Sequence, residues 1–259
     1  MNLVIIGNGF DLAHDMPTSY SDFKAFLIGS GEGKEEDLER LYPLKSGSDY
    51  LLWSDFEESL AHPSVEETQF VDDEFDLDPS WVLDLLSDSF CKWIEETSFA
   101  GASPLDKEHP YSRFLKPENE YLTFNYTELL EVTYGFENVL HIHGRPVFHG
   151  KETKQGIVFG HGSTETNDKY VAITEKRVPT IIEQYDWWFR SLHKDIDEEI
   201  VVIGFSCNLV DQPYLKRIRE ALPKNKWHFF YHSSRDKEKI EQCAASIGLS
   251  DNECCLECS

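Results

Sequence analysis

The first apolar run of this chain, together with the two glycines that follow it, constrains the fold more than any other feature. Leu3–Ile6 is continuously apolar and rich in β-branched side chains, as is typical of a strand buried on both faces of a parallel sheet. Gly7 and Gly9 then let the backbone turn sharply and let a ligand approach the main chain closely. A strand-to-helix turn without a ligand fits the same residues, so the interpretation depends on the rest of the chain.

The residues around these glycines form a candidate nucleotide site. At the carboxyl end of a parallel strand, backbone N–H groups and the start of a helix can bind a phosphate or pyrophosphate. Gly7, Asn8 and Gly9 supply such a turn. Asp11 and His14 come next, where the ribose or the reactive end of a nucleotide would lie.

Composition excludes several classes of function. The chain has 259 residues, 40% of them hydrophobic, which is enough for one large α/β domain. Its formal net charge of −24 argues against a basic surface for nucleic acid. No apolar stretch approaches the length of a membrane span, and the N-terminus has no recognisable signal peptide. We expect a soluble cytoplasmic protein that binds neither nucleic acid nor a membrane.

The cysteines do not follow a zinc pattern. Three stand alone and three crowd the last six residues, whereas zinc sites normally bring two spaced pairs. We expect reduced thiols and no metal, with metal binding at the tail as the alternative. The cysteines are Cys91, Cys207, Cys243, Cys254, Cys255 and Cys258.

Apolar runs alternate with helical patterns along the chain, which favours an α/β fold. We predict one domain over residues 1–259, with a mostly parallel, Rossmann-like sheet and helices on both faces. One of the helices is predicted over Pro179–Asp195. The predicted strands start near Leu3, Tyr121, Val139, Ile157, Ile200 and Trp227.

The segment from about 30 to 117 is predicted to be a helical insertion after the first strand. Apolar residues recur at helical spacing over 50–61 and again over 81–94. We expect the insertion to cover the mouth of the pocket and to exclude water from it. The aromatic residues expected to anchor it are Trp53, Phe56, Trp81 and Trp93.

Within that segment, residues 66–78 are rich in carboxylates. Such a charge run is usually a solvated surface or a mobile loop. The alternative is an acidic surface that binds a partner protein. Both interpretations remain open at this point.

Two later strands bring polar residues to the edge of the sheet where ligands bind in open α/β folds. Asn125 follows the strand at 120–124, and His143 follows the strand at 138–141. Asn125 is expected to hold a ribose hydroxyl or a water, and His143 to act as a general base. The alternatives are that Asn125 caps the helix after it, and that His141 or His143 is a hydrogen-bonded interior histidine.

Two further segments end in glycine turns. Gly156–Gly160 is predicted to be a strand and is followed by His161. Glu199–Ser206 contains the clearest buried strand of the chain. Gly204 and Ser206 come at its end, where the phosphates or the nicotinamide end of a ligand would be met.

In this order, the motifs resemble the AbiH family of bacterial phage abortive-infection proteins. The resemblance runs nearly from end to end, apart from the acidic stretch at 62–80. It implies a role in defence against bacteriophage. The matching segments are IIGNGFDLAH at 5–14, PTSYSDF at 17–23, WSDFE at 53–57, FNYT at 124–127, HIHG at 141–144, FGHG at 159–162 and IGFS at 203–206 with Asp211.

A second resemblance, to sirtuins and sirtuin-like NAD-cleaving defence proteins, implies the chemistry. Those proteins have a Gly-Ala-Gly turn after the first strand, an Asn-centred motif, a His-Gly pair that carries the general base, and a later Gly-x-Ser loop. The resemblance implies that Asn125 positions the nicotinamide ribose or the attacking water and that His143 is the base. The residues implied to bind the dinucleotide are Gly7, Asn8, Gly9, Phe10, Asp11, His14, Gly204, Phe205, Ser206 and Asp211.

The implied reaction is hydrolysis of the nicotinamide–ribose bond of NAD⁺ rather than deacetylation, because the cysteine pairs of deacetylating sirtuins are absent from the sequence. Cleavage of this bond passes through an oxocarbenium-like state with a cationic leaving group already in place. Orientation, exclusion of stray water and one base can then suffice. Phe10 and Asp11 stand where sirtuins have a small residue and a serine, which leaves the ribose contacts open.

Other classes of function fit less well or leave the activity open. A dehydrogenase is disfavoured because Leu12 occupies the third glycine position of the dinucleotide fingerprint. A nuclease is disfavoured because the sequence contains no carboxylate cluster with metal-ligand spacing. The main rival is a module that senses a nucleotide without turnover. A protein partner or a homo-oligomer remains open under either interpretation.

Overall fold

A six-stranded parallel sheet forms the centre of the fold. The computed structural model describes residues 1–30, 34–43, 53–75, 78–99, 102–146, 157–162 and 167–259. Its strands are β1 (Leu3–Ile6), β2 (Glu120–Thr123), β3 (Val139–His141), β4 (Ile200–Ile203), β5 (Trp227–Tyr231) and β6 (Cys254–Cys258). They lie in the order β3-β2-β1-β4-β5-β6, and every neighbouring pair is parallel. This is the strand order of dinucleotide-binding Rossmann folds, so the predicted fold class is confirmed.

Both faces of the central strands are buried, which explains their continuously apolar sequences. On one face, Val4 lies beside Tyr121 of β2 and Val201 of β4. This face packs against Phe10 and Leu130 in one hydrophobic cluster. On the other face, six apolar residues are at most 1% exposed: Leu3, Ile5, Leu122, Ile200, Val202 and Phe229.

Five of the six predicted strands are present, and the prediction near Ile157 is wrong. Residues 157–160 form no strand, and His161 makes an isolated bridge with Glu175. The apolar run is short, and Gly160 has a φ of +146° with its Cα packed against the carbonyl of Thr174. That backbone cannot continue a regular strand. Gly156 lies outside the described residues.

The sixth strand is β6, the cysteine-rich tail, for which the sequence analysis predicted reduced thiols but no strand. It pairs with β5 from Cys254 beside Trp227 to Cys258 beside Tyr231. A tail with three cysteines and a glutamate carries little of the usual strand composition. All six cysteines are free thiols, as expected.

The chain divides into two compact units. The sheet unit comprises Met1–Met16, Ala100–Arg145 and Val178–Ser259, and the helical unit comprises Pro17–Phe99 and Pro146–Arg177. The helices of the sheet unit are α1 (Asn8–Leu12), α7 (Leu129–Tyr134), α9 (Val178–Gln184), α10 (Asp186–Asp195), α11 (Gln212–Ala221) and α12 (Ser234–Ser246). Those of the helical unit are α2 (Tyr20–Gly29), α3 (Lys34–Leu41), α4 (Trp53–Ser59), α5 (Val65–Phe75), α6 (Ser80–Phe99) and α8 (Lys169–Ile173). Among the described residues, no helix combines the length and apolar character needed to cross a membrane.

Helices make up much of the predicted insertion. Those predicted over 50–61 and 81–94 are present as α4 and α6, although residues 50–52 lie outside the described part. Of the expected aromatic anchors, Phe56 and Trp93 are buried, Trp81 is half-buried, and the side chain of Trp53 is not among those described. The single domain, the bounds at about 30 and 117 and the role as a lid stay predictions.

The carboxylate-rich stretch is mostly helical, so the mobile-loop interpretation is wrong for residues 66–75. Glu66 is exposed and Glu67 half-buried in the first turn of α5, where negative charge is favourable next to the helix N-terminus. Asp72 forms an ion pair of 2.8 Å with Lys169 Nζ. Residues 76–77 lie outside the described part, and a partner-binding role stays a prediction.

The helix predicted over 179–195 is in fact two helices, α9 and α10. Tyr185 separates them with a non-helical backbone. No glycine marks this break in the sequence. Asp186, the first residue of α10, accepts a hydrogen bond of 2.9 Å from Arg217 of α11.

Candidate functional site

The glycine turns after β1 and β4 pack directly against each other. Gly7 N donates to Ile203 O, and Gly9 N donates to Gly204 O, both at 2.9 Å. Gly204 has a φ of +63°, and a Cβ there would lie 2.3 Å from Phe10 N. Any side chain at Gly204 would therefore collide with the main chain of the first turn. This backbone packing requires glycine whether or not a ligand binds.

Asp11 forms a buried cluster with two residues that follow β2. Its side chain is in the interior, 1% exposed. Oδ1 accepts a hydrogen bond from Asn125 Nδ2, and Oδ2 accepts one from Thr127 Oγ1, each at 2.7 Å. Burial raises the pKa of Asp11 to about 6, although the hydrogen bonds from Thr127 and Asn125 lower it. The site thus contains a carboxyl group that titrates close to neutral pH.

Asn125 is held by hydrogen bonds at its backbone and its side chain. Its backbone N–H donates to Thr123 Oγ1 at 3.0 Å. Its Nδ2 donates to Gly7 O at 3.1 Å as well as to Asp11. The alternative of a helix cap is wrong, because Glu128 occupies the N-cap position of α7. Asn125 therefore connects the ends of β1 and β2.

His141 is an interior histidine with an oxygen close to each ring nitrogen. Its Nδ1 lies 3.0 Å from Asn125 O, and its Nε2 lies 2.8 Å from Glu131 Oε1. Arg145 Nη1 donates to the same Glu131 oxygen at 3.0 Å. His141 thus helps to hold the backbone carbonyl of Asn125 in place.

His143 lies in separate surroundings. It is buried, with its Nε2 3.7 Å from Asp211 Oδ1, which is too long for a direct hydrogen bond. The rings of Phe124 and Tyr214 lie 5.1 and 5.6 Å from the His143 ring. Gly144 follows with a φ of +76°, a left-handed backbone that favours glycine. The role of His143 as a base stays a prediction.

His14 is fixed inside the sheet unit. Its Nδ1 donates to Phe10 O at 2.7 Å, and the Tyr134 hydroxyl donates to its Nε2 at 2.6 Å. The same hydroxyl accepts from Leu105 N at 3.0 Å. Burial lowers the pKa of His14. These contacts hold a neutral imidazole, and the predicted contact of His14 with a ligand stays a prediction.

The other predicted binding residues differ in exposure. Phe10 and Phe205 are interior aromatic residues, Asn8 is half-buried, and Ser206 is exposed. Asp211 is buried and precedes α11. Only Ser206 of these offers a freely accessible side chain to a ligand.

Sequence reasoning missed the partners that hold this site together. Thr127, Glu131 and Arg145 had no assigned role, although Thr127 closes the FNYT motif two residues after Asn125. Cys207 was taken as an isolated thiol, yet it is hydrogen-bonded to Cys243, and this bond and burial raise its pKa. A polar residue two positions after a strand-end asparagine was the available signal for Thr127.

Two shallow clefts lie elsewhere on the sheet unit. One is lined by residues that include Glu199 and Lys226, and the other by residues that include Asn2 and Arg113. They border the amino-terminal ends of β1, β4 and β5, whereas ligands of open α/β sheets bind at the carboxyl ends. We therefore retain the carboxyl-end cluster as the candidate site. In the described part of the chain, no group of three or more His, Cys, Asp or Glu residues is arranged to hold a metal ion.

Comparison with known proteins identifies the family. The chain matches the family model described as bacteriophage abortive infection AbiH over residues 3–80 and 74–231. These ranges contain both glycine turns, the Asp11 cluster and both histidines. A search of curated proteins finds no match. The chain belongs to the AbiH family of bacteriophage abortive infection proteins, and its role is accordingly in abortive-infection defence against phage.

Proposed function

We propose that this defence protein binds NAD⁺ at the carboxyl ends of β1, β2 and β4 and hydrolyses its nicotinamide–ribose bond. The observation that carries the proposal is the hydrogen bond of 3.1 Å from Asn125 Nδ2 to Gly7 O. It ties the residue proposed to hold the ribose to the turn proposed to bind the phosphates. The strand order supports a dinucleotide at this edge.

In the proposed reaction, the protein orients the substrate and moves one proton. Asn125 holds a ribose hydroxyl or the attacking water, and His143 accepts a proton from one of them. Asp211, with its carboxylate 3.7 Å from His143 Nε2, favours the imidazolium that forms. The leaving nicotinamide is already cationic in NAD⁺, so its departure needs no acid. The C–N bond breaks as the water oxygen bonds to the ribose carbon, and nicotinamide leaves neutral.

A second function, nucleotide sensing without turnover, is favoured by a different observation. The glycines after β1 and β4 contact each other, with Gly9 N 2.9 Å from Gly204 O. That contact explains these glycines without a phosphate. His143, 2% exposed, also lies deep for a group that must reach a substrate. A sensor would bind the nucleotide and pass the signal to a protein partner or a second copy.

Free nicotinamide tests the two functions. Purified protein is incubated with NAD⁺, with and without phage lysate, and nicotinamide is measured by chromatography. Removal of a positioned general base lowers rates by about 10²–10⁴-fold, so His143→Ala should lose nearly all turnover. His141→Ala should lose less. His193→Ala, a change at an exposed histidine of α10, is the matched control and should turn over normally.

The outcomes separate cleanly. Equal turnover by wild type and a folded His143→Ala protein would refute the catalytic role of His143. Tight NAD⁺ binding without turnover, even with lysate present, would support the sensor instead. Absence of both binding and turnover would reject NAD⁺ as the ligand.

A further inference from the structure

We infer that Asp11 is a positioning residue that turns the Asn125 side chain so that its Oδ1 faces the ligand as a hydrogen-bond acceptor. Asp11 itself makes no contact with the ligand in this arrangement. The orientation is a property of the protein alone. Its consequence for the ligand rests on the function proposed above.

The orientation of the Asn125 amide follows from what surrounds it. The oxygen and nitrogen of an amide are similar in shape, so hydrogen bonds decide which points where. Two oxygens lie against the same amide position: Gly7 O at 3.1 Å and Asp11 Oδ1 at 2.7 Å. Both can only be satisfied by the two N–H groups. The flipped amide would bring three oxygens together, so Oδ1 must point the other way.

Asp11 acts only through its neighbours because its own carboxylate is enclosed. Oδ1 is bound to Asn125 and Oδ2 to Thr127, and the residue is 1% exposed. The carboxylate lies against the amide nitrogen of Asn125, 2.7 Å away. The carboxylate of Asp11 is therefore a support for the amide rather than a ribose ligand.

The backbone of Asn125 leaves the side chain little other freedom. Its N–H is bound to Thr123 Oγ1 and its carbonyl to His141 Nδ1, each at 3.0 Å. With both backbone groups held, the remaining variable is rotation of the amide. Asp11 and the Gly7 carbonyl decide that rotation.

An outward Oδ1 selects the chemistry of what binds there. It accepts hydrogen bonds, so it favours a hydroxyl group or a water and disfavours phosphate and carbonyl oxygens. On NAD⁺ the matching groups are the ribose hydroxyls. Asn125 would therefore contact the ribose end of the dinucleotide or the attacking water, and not its pyrophosphate.

The first test measures the amide in the full chain without any ligand. Side-chain NMR should show the two Asn125 amide protons as distinct and slowly exchanging, because both are bound. Asp11→Asn should preserve this, since its own amide oxygen can accept from Asn125 while its NH₂ donates to Thr127. Asp11→Ala should speed exchange by about tenfold or more, as one hydrogen bond is lost. Rapid exchange in wild type, or no change in a folded Asp11→Ala protein, would overturn the inference.

The second test measures the acceptor role with a defined probe. Calorimetry compares NAD⁺ with an analogue that lacks the 2′-hydroxyl of the nicotinamide ribose, and with one that lacks the 3′-hydroxyl. Wild type and Asp11→Asn should prefer NAD⁺ over one analogue by about tenfold, the effect of a single hydrogen bond, and Asp11→Ala should lose this preference. Loss of stability alone would weaken all three ligands equally. If the preference persists in Asp11→Ala, the positioning role is wrong.

The two tests fail in different ways. If NAD⁺ does not bind wild type at all, the proposed function is rejected, while the NMR measurement still decides the orientation of Asn125. Should Asp11→Ala not fold, Thr127→Val replaces it, because that change removes the other support of the Asp11 carboxylate. Faster exchange of the Asn125 amide in Thr127→Val would support the inference, and unchanged exchange would contradict it.

Discussion

Two carboxyl groups of the sheet unit respond to the fold in opposite directions. Asp11, at the centre of the sheet, is enclosed, and burial raises its pKa to about 6. Glu257, on the outer strand β6, is only partly buried, and hydrogen bonding to Arg113 lowers its pKa. His228 Nε2 adds a second contact to Glu257 at 2.9 Å. The pKa of each carboxyl group thus depends on its surroundings in the sheet unit: burial raises it for Asp11, and a hydrogen bond from an arginine lowers it for Glu257.

The difference determines how each group contributes to stability with pH. Asp11 has a folded pKa above its unfolded value, so its contribution is full below about pH 4 and is lost as the pH rises through about 6. Glu257 has a folded pKa below its unfolded value. Its contribution is present above the unfolded pKa and is lost as the pH falls.

The largest expected effect comes from the glycine contact at the centre of the sheet. Gly204→Ala should destabilise the protein by about 3 kcal/mol or more, since a left-handed backbone and a collision with the main chain add up. Gly29→Ala, at the end of α2 with open space around it, is the control and should change stability by less than about 1 kcal/mol. Chemical denaturation measures both. A Gly204→Ala protein as stable as wild type would mean that the turns do not pack as described.

The second-largest effect on stability is expected when Asp11 is neutralised. At pH 8 Asp11→Asn should stabilise the protein by up to about 3 kcal/mol, because the buried charge is removed. Between about pH 4 and 6 the mutant should also lose part of the pH dependence that wild type shows. Denaturation curves at a series of pH values test this. A mutant that is less stable than wild type at pH 8 would argue that the ionised carboxylate is well compensated.

Thr127→Val should have a smaller effect of opposite sign. It leaves Asp11 Oδ2 without its donor, which costs about 1–3 kcal/mol. The pKa of Asp11 should rise further, because the Thr127 hydrogen bond lowers it. Carboxyl NMR titration gives the pKa, and Thr133→Val at a half-buried hydroxyl serves as the control. No change in the Asp11 pKa would remove Thr127 from the cluster.

The smallest effect is expected on the outer strand. Glu257→Gln should cost less than about 1 kcal/mol, because exposed ion pairs contribute little. Its effect should shrink further in high salt, since the charges are screened. Denaturation at low and high salt measures this. A loss of stability above about 2 kcal/mol that does not change with salt would show that Glu257 behaves as a buried group, as Asp11 does.

Local patterns were enough for much of the fold. Continuous apolar runs were enough to predict buried strands such as β1 and β4. The strand formed by the tail at Cys254–Cys258 was not predicted. Strand formation at the edge of a sheet depends on whether a partner strand is alongside, and composition does not report this.

The candidate site also has features that the sequence predicts and features that it does not. The positions of Asn125 and His143 after their strands follow from the order of apolar runs and polar residues. The contacts that hold His141, with Glu131 and with the Asn125 carbonyl, come from the tertiary structure. Those partners are ten and sixteen residues away in sequence, so no short motif contains them.

By itself, the sequence determined that the chain is an α/β protein with glycine turns after two buried strands, and that its motifs resemble the AbiH family. Only the tertiary structure decided that those glycines pack against each other, that Asp11 is enclosed, and that the Asn125 amide nitrogen donates to Gly7 O and to Asp11. The physical reason is that periodicity and turn chemistry act between neighbours along the chain. Burial and hydrogen bonding of polar groups depend on residues brought together from distant segments.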